Sequence, residues 1–204
     1  GAIDLSPFDV ARLYQYLAAD GHALPLRALR GELDAKGRPL SRYALKPGAG
    51  DYATAARLVT WAMQQVAISG TAHAIADAGL GGLHAAGKTG TSDTQRDSWF
   101  AGFTGDALAV AWVGRDDNKP TGLFGATGAL RVWIELMKRL PSAPLVLPQD
   151  GIEQVWIDPQ SGRRSDAACS GAREVHFANG YAPSEQEGCP LDQLRAFFGR
   201  GDGE

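Results

Sequence analysis

Three observations predict a mixed α/β fold of the α+β kind, an antiparallel sheet covered by helices and followed by a small β-rich extension. Two extended segments from Arg96 onward are separated by Thr104-Gly105-Asp106, a turn of hairpin length. In the second segment Leu108, Val110 and Trp112 fall on one face and Ala107, Ala109, Ala111 and Val113 on the other, so both faces are apolar. Such a strand belongs inside a sheet with helices on each side, and its alanine face lets one helix approach closely. The clearest helix, Gly128 to Leu140, carries Leu130, Trp133, Ile134, Met137 and Leu140 on one stripe, with Pro141 ending it.

The remaining elements follow in chain order. Leu5-Ser6-Pro7-Phe8-Asp9 is a helix start, with Ser6 as N-cap and Pro7 at the first helical position, where its missing N–H costs nothing. Leu13, Tyr14 and Leu17 continue at helical spacing, and Gly21 is the stop. Leu24 to Tyr43 turns to short extended pieces around Ala35-Lys36-Gly37, a hairpin. Pro47-Gly48-Ala49-Gly50 breaks the chain, and Asp51 is expected to cap a helix from Tyr52 to Ile68 whose stripe is Leu58, Val59, Ala62, Met63 and Val66. An alanine-rich helical stretch from Thr71 to Ala78 then runs into Gly79-Leu80-Gly81-Gly82. Beyond Pro141 the chain is richer in Pro, Gly and polar residues, with Val155 to Gly162 reading as a strand into a turn. Two domains follow, 1–148 and a small extension 149–204.

Composition excludes several classes. The 204 residues are 44% apolar and 21% charged, as in globular proteins, and a net charge of -3 with pI near 5.8 provides no basic field to hold nucleic acid. No apolar run approaches the ~20 residues that span a bilayer, so any anchoring segment is expected outside this chain. Cys169 and Cys189 with scattered His22, His73, His84 and His176 match no usual zinc spacing, and no metal or cofactor is expected. The two cysteines are either unrelated thiols or a disulfide closing a Gly-, Ser- and Pro-rich segment, which would contribute roughly 3 kcal/mol on a chain-entropy model.

The chemistry lies in Gly82-Leu83-His84-Ala85-Ala86-Gly87-Lys88-Thr89-Gly90-Thr91, which satisfies two incompatible patterns. As a string, Gly82 through Thr89 fits a phosphate loop. That loop must follow a strand and open a helix. Here an alanine-rich stretch precedes it, and Gly90-Thr91-Ser92-Asp93-Thr94 disfavours a helix after it. The second pattern is lysine–threonine–glycine on a strand. Lys88 supplies positive potential at a strand edge, and Thr89 and Thr91, at i and i+2, place two hydroxyls on one face. Gly90 removes a side chain where an extended peptide could lie.

Gly87 to Ser92, followed by Arg96-Asp97-Ser98-Trp99-Phe100-Ala101-Gly102-Phe103-Thr104 and Ala111-Trp112-Val113-Gly114-Arg115-Asp116-Asp117, resembles the transpeptidase domain of the bifunctional class A penicillin-binding proteins. Gly125 to Ala129 leads into the Trp133 helix as that family's C-terminal helix begins, and Leu5 through Tyr14 is similar to its helix after the second motif. The tail resembles the extension of the 1b subgroup of Gram-negative bacteria. The resemblance implies the serine β-lactamase/transpeptidase-like fold, a periplasmic location at the inner membrane, and D,D-transpeptidation of peptidoglycan stem peptides through a penicillin-sensitive acyl-enzyme. It further implies that Lys88 tunes the site, Thr89, Gly90 and Thr91 bind the donor, and the Thr91 N–H supplies an oxyanion donor.

Ser-x-x-Lys and Ser-x-Asn, the family's nucleophile and second motifs, occur nowhere in the sequence. The nucleophile is therefore expected upstream of Gly1, with a glycosyltransferase domain and a membrane anchor, and this chain alone is expected to be inactive and to self-associate through its exposed sheet face. A non-catalytic binding module, or a D,D-carboxypeptidase or β-lactamase relative, is the alternative. The five tryptophans are spread singly and suit core or sheet-face packing. His84 is read as structural rather than a general base, and Arg115 to Pro120 as a solvated loop rather than a cation site.

Overall fold

A computed structural model describes residues 3–48 and 50–187. The chain divides into two compact units, Gly1–Pro148 and Gln149–Glu204. Of the described residues, no helix is long and apolar enough to cross a membrane.

In the first unit, α1 (Pro7–Ala18) starts as its sequence dictates: Ser6 Oγ accepts from the Asp9 N–H at 3.2 Å, and Pro7 takes the first position. It stops where Asp20 and Gly21 enter the left-handed region and the Gly21 N–H reaches back to the Tyr16 carbonyl at 2.9 Å. A Cβ on Gly21 would lie 3.1 Å from the backbone of Ala53, so glycine is needed both for the turn and for what packs on it. A short hairpin, β1 (Gly31–Leu33) and β2 (Pro39–Arg42), projects between α1 and α2.

Helix α2 (Ala53–Ser69) departs from expectation in two ways. Its N-cap is Tyr52, without a side-chain cap bond, so Asp51 stands one residue too early. Its buried line is Ala56, Thr60, Met63 and Ala67, whereas Val59 is 46% exposed and Ala62 is exposed. The helix turns small residues inward because it lies close against the first sheet strand; bulkier side chains would hold it off. Arg57 Nε donates to Asp20 Oδ1 at 2.7 Å and ties the start of α2 to the end of α1. The stretch after α2 is a turn and a π-type bulge over Ala76–Leu80 rather than a continued α-helix, because Gly79 is left-handed inside it.

The sheet is antiparallel, in the order β3 (Ala86–Thr91), β4 (Ser98–Phe103), β5 (Leu108–Val113). Register pairs place Gly87, Thr89, Thr91, Ser98, Phe100, Gly102, Ala109, Ala111 and Val113 on one face. Against that face packs α3 (Ala129–Met137), burying Leu130, Trp133, Ile134 and Met137 among the alanines of β5. α3 is shorter than its apolar pattern: Leu140 lies beyond it and is 42% exposed. Phe100 meets Trp133 edge-on at 5.2 Å between ring centres. Gly87 and Gly102 make room for that Phe100 ring, since a Cβ on either would come within 2.8 Å of it. The opposite face carries Lys88, Gly90, Trp99, Ala101, Phe103, Leu108, Val110 and Trp112, with Tyr14 and Leu17 of α1 packing near Phe103 and Leu108. Both faces of β5 therefore meet helices.

The joint between sheet and α3 is Ser98, which is wholly buried. Its hydroxyl donates to the Phe124 carbonyl at 2.9 Å and accepts from the Ala129 N–H at 2.8 Å, satisfying an unpaired donor of the α3 N-terminus.

The second unit is a hairpin of β6 (Ile152–Ile157) and β7 (Arg173–Ala178). Glu153 accepts from the Gly180 and Ala182 N–H groups at 2.7 and 3.1 Å; those bonds hold its carboxyl below the usual range and anchor the turn after β7. Cys169 is buried and disulfide-bonded, and Cys189 lies outside the described residues.

Replacing Ser98 by Ala leaves the buried Ala129 N–H without its acceptor, whereas the Phe124 carbonyl keeps the Thr127 and Gly128 N–H groups. A loss of about 2 kcal/mol is expected in urea unfolding, with the midpoint lowered and the slope unchanged.

Candidate active site

The functional groups of β3 are sorted by the ladder. The Ser92 N–H donates to the Asp97 carbonyl at 3.1 Å, in register with the β3–β4 pairs. Antiparallel pairing alternates bonded and non-bonded residues, so Gly90 and Lys88 also point their backbone groups at β4. Thr89 and Thr91 then turn their N–H and C=O outward, along the free edge of the sheet. Lys88 confirms the direction: its ammonium curls over that edge and donates to the Thr89 carbonyl at 3.0 Å and to Thr89 Oγ1 at 3.2 Å. An ammonium, a hydroxyl and an outward N–H thus share one strand edge.

Each group is braced from behind. Thr91 Oγ1 accepts from the Gly125 N–H at 2.9 Å, and a Cβ on Gly125 would stand 2.7 Å from the Gly90 and Trp99 carbonyl oxygens. Only glycine lets the Gly125–Gly128 segment lie flat on the backbone of β3 and β4. Thr89 Oγ1 lies 2.7 Å from Thr71 Oγ1, contributed by the turn after α2. Asp97 closes the far end: Ser92 Oγ donates to its Oδ2 at 2.8 Å and Trp112 Nε1 to its Oδ1 at 2.9 Å.

A groove of about 500 Å³ opens beside these groups, lined by Val10 and Tyr14 of α1 and by Lys88, Gly90, Trp99 and Trp112 among others. Trp99 and Trp112 are a tilted pair with centres 6.2 Å apart, and both line the groove, Trp112 remaining 44% exposed. Two of the five tryptophans therefore floor the groove, on the sheet face, while Trp133 fills the core. An apolar floor beside a cationic edge suits a ligand that carries a carboxylate on an otherwise uncharged body.

The residues singled out in sequence separate cleanly. Lys88, Thr89, Gly90 and Thr91 all line the groove. His84 instead lines a separate cleft of about 150 Å³ with Ile68 and Ile75, and its carbonyl accepts from Gln64 Nε2 at 2.9 Å. Lys88 lies inside a strand that continues to Thr91 rather than opening an α-helix, and the strand conformation of Ala86–Thr91 is incompatible with a phosphate loop. Asp117 pairs with Arg115 at 2.8 Å and with Lys119 at 3.3 Å, an exposed ion cluster. Sequence reasoning missed Thr71, Ser92, Asp97 and Gly125 as members of the site. Only the Gly125-Ala126-Thr127-Gly128 run carried a local signal; the others are brought in by tertiary pairing.

The hydrogen bond from Arg115 holds the Asp117 carboxyl down at about 2. A depressed carboxyl pKa stabilises the fold above its ordinary value near 3.8 and loses that contribution as pH falls through about 2. Carboxyl-detected NMR should place the Asp117 midpoint near 2, and Arg115→Ala should move it upward; an unmoved midpoint would assign the shift elsewhere.

Known proteins share this sequence and this fold. Residues 1–125 match the family described as the penicillin-binding protein transpeptidase domain. The chain is 36% identical over 176 residues to penicillin-binding protein 1B of Escherichia coli, covering 86% of this chain and 20% of that protein. It is 41% identical over 201 residues to penicillin-binding protein 1B of Vibrio cholerae, covering 97% of this chain and 26% of that one. The chain thus spans about a quarter or less of these relatives. In fold it is similar to the crystal structure of penicillin-binding protein 1A from Haemophilus influenzae, with a TM-score of 0.75 at 24% identity over 92% of this chain and 34% of that one. It is also similar to penicillin-binding protein A of Mycobacterium tuberculosis, solved as a ceftriaxone acyl-enzyme, with a TM-score of 0.55 at 16% identity over 68% of this chain and 33% of that one.

Proposed function

We propose that this chain, which belongs to the penicillin-binding protein transpeptidase family, supplies the lysine–threonine–glycine wall of a peptidoglycan D,D-transpeptidase site in the cell envelope, on the periplasmic face of the inner membrane. The observation that carries this reading is the outer edge of β3, where the Lys88 ammonium, the Thr89 hydroxyl and the Thr91 N–H converge. Transpeptidation needs those three functions in one place. A donor peptide ending in D-Ala-D-Ala lies along the edge, its terminal carboxylate taken by Thr89 and Thr91 and by the positive potential of Lys88. A serine hydroxyl adds to the penultimate carbonyl, and the oxyanion that forms is met by the Thr91 N–H. The C–N bond breaks, D-Ala leaves with a proton on its amine, and an amine of a neighbouring strand displaces the serine. Gly90 leaves the donor room, since a side chain there would project from the strand face that carries Trp99.

Neither Ser-x-x-Lys nor Ser-x-Asn occurs between Gly1 and Glu204. In this reading the serine, its lysine base and the second motif come from upstream sequence, together with a glycosyltransferase domain and a membrane anchor. The groove beside Lys88 is where the serine enters. The 204-residue chain by itself is then an inactive wall.

Fluorescent penicillin should label the full-length protein, with labelling reduced at least 100-fold by Lys88→Ala and absent from the 204-residue chain. A full-length protein that stays dark would leave a binding module on the same scaffold; labelling of the short chain would show that the nucleophile lies within it. By itself the short chain, whose partly covered sheet face leaves Trp112 44% exposed, is expected to self-associate, and a monomeric mass by light scattering would contradict that.

A further inference from the structure

Thr71 belongs to no motif, yet its hydroxyl reaches the site. Helix α2 ends in a tight turn in which the Gly70 and Ala72 N–H groups both donate to the Val66 carbonyl at 3.1 Å. A Cβ on Gly70 would stand 2.8 Å from Val66 Cα, and Ala72 is wholly buried. The backbone on either side of Thr71 is thereby pinned, and its Oγ1 is held 2.7 Å from Thr89 Oγ1.

The direction of that hydrogen bond is decided by counting donors. A hydroxyl has one proton and two lone pairs. Lys88 donates to Thr89 Oγ1 at 3.2 Å and occupies one lone pair. If Thr89 gave its proton to Thr71, it would have none for an anion in the groove. If Thr71 gives its proton instead, both lone pairs of Thr89 are filled and the Thr89 proton is free to point outward. A carboxylate only accepts, so its presence beside β3 selects the second arrangement.

We infer that Thr71 is a positioning residue: it donates to Thr89 Oγ1 and thereby turns the Thr89 proton toward the carboxylate of the donor peptide or of a β-lactam. The inference rests on the function proposed above, in which Thr89 binds that carboxylate. It accounts for an otherwise unremarked pairing of two threonine side chains from separate elements. It also makes carboxylate recognition depend on the turn after α2 as well as on the strand.

The test compares acylation of the full-length protein by a penicillin with its free carboxylate and by the methyl ester of the same penicillin. Thr71→Val keeps the shape and removes the hydroxyl. It is expected to slow acylation by the free acid about tenfold, through a higher concentration for half-maximal rate, and to leave acylation by the ester unchanged. Thr71→Ser should restore the rate with the free acid, and the thermal midpoint of each variant reports folding. Equal slowing with acid and ester, or no slowing with either, would overturn the inference while the transpeptidase reading stands. A wild-type protein labelled by neither compound would overturn both.

Discussion

The alternation of the β3–β4 ladder is the constraint from which the site follows. One backbone bond, Ser92 N–H to the Asp97 carbonyl, sets which residues of β3 spend their amides on β4 and which present them outward. A slip of one residue would exchange the two sets: Thr91 would lose its outward N–H, and Lys88 would move to the face now covered by α3. The register is held by devices at both ends. At one end Asp97 is clasped by Ser92 and Trp112; at the other, Gly87 and Gly102 form a register pair that admits the Phe100 ring.

The two faces of this sheet carry different burdens. The face toward α3 is close-packed, with Phe100, Leu130, Trp133 and Met137 among the largest fully buried side chains. It makes β4 rigid, and through Ser98 it fixes where α3 starts. The face toward α1 is only partly covered, and there the floor of the groove is built from Trp99 and Trp112. A rigid back and an open front are what a site on a strand edge needs, because hydrogen-bond donors position a substrate only as well as their own backbone is held. Glycine serves both sides: Gly125 permits a backbone segment to lie on the back of β3, and Gly90 leaves the front clear.

Charge is distributed economically. Asp97 and Asp117 are both taken up by local partners, Ser92 and Trp112 for one, Arg115 and Lys119 for the other. The Lys88 ammonium is bonded to oxygens that are themselves uncharged. A cation left without a carboxylate in contact keeps its attraction for an anionic ligand, whereas an ion pair would have to be broken first.

Much of the fold was legible in the sequence because it rests on local chemistry. Ser6-Pro7 start a helix wherever they stand, Thr104-Gly105-Asp106 joins two strands, and the two apolar sides of Leu108 to Val113 call for helices on both. The lysine–threonine–glycine run was readable for the same reason, since a strand's period of two assigns its side chains to faces. What tertiary structure alone decided is which neighbours those faces meet. The inward line of α2 follows close approach to β3 rather than hydrophobicity, so Ala56 and Thr60 are buried while Val59 is not. The bracing of the site by Thr71, Asp97 and Gly125 joins residues 18, 15 and 34 positions from their partners Thr89, Trp112 and Thr91. No local pattern records a contact of that kind, because each residue is ordinary in its own segment and acquires its role only when the ladder and the helices bring it to β3.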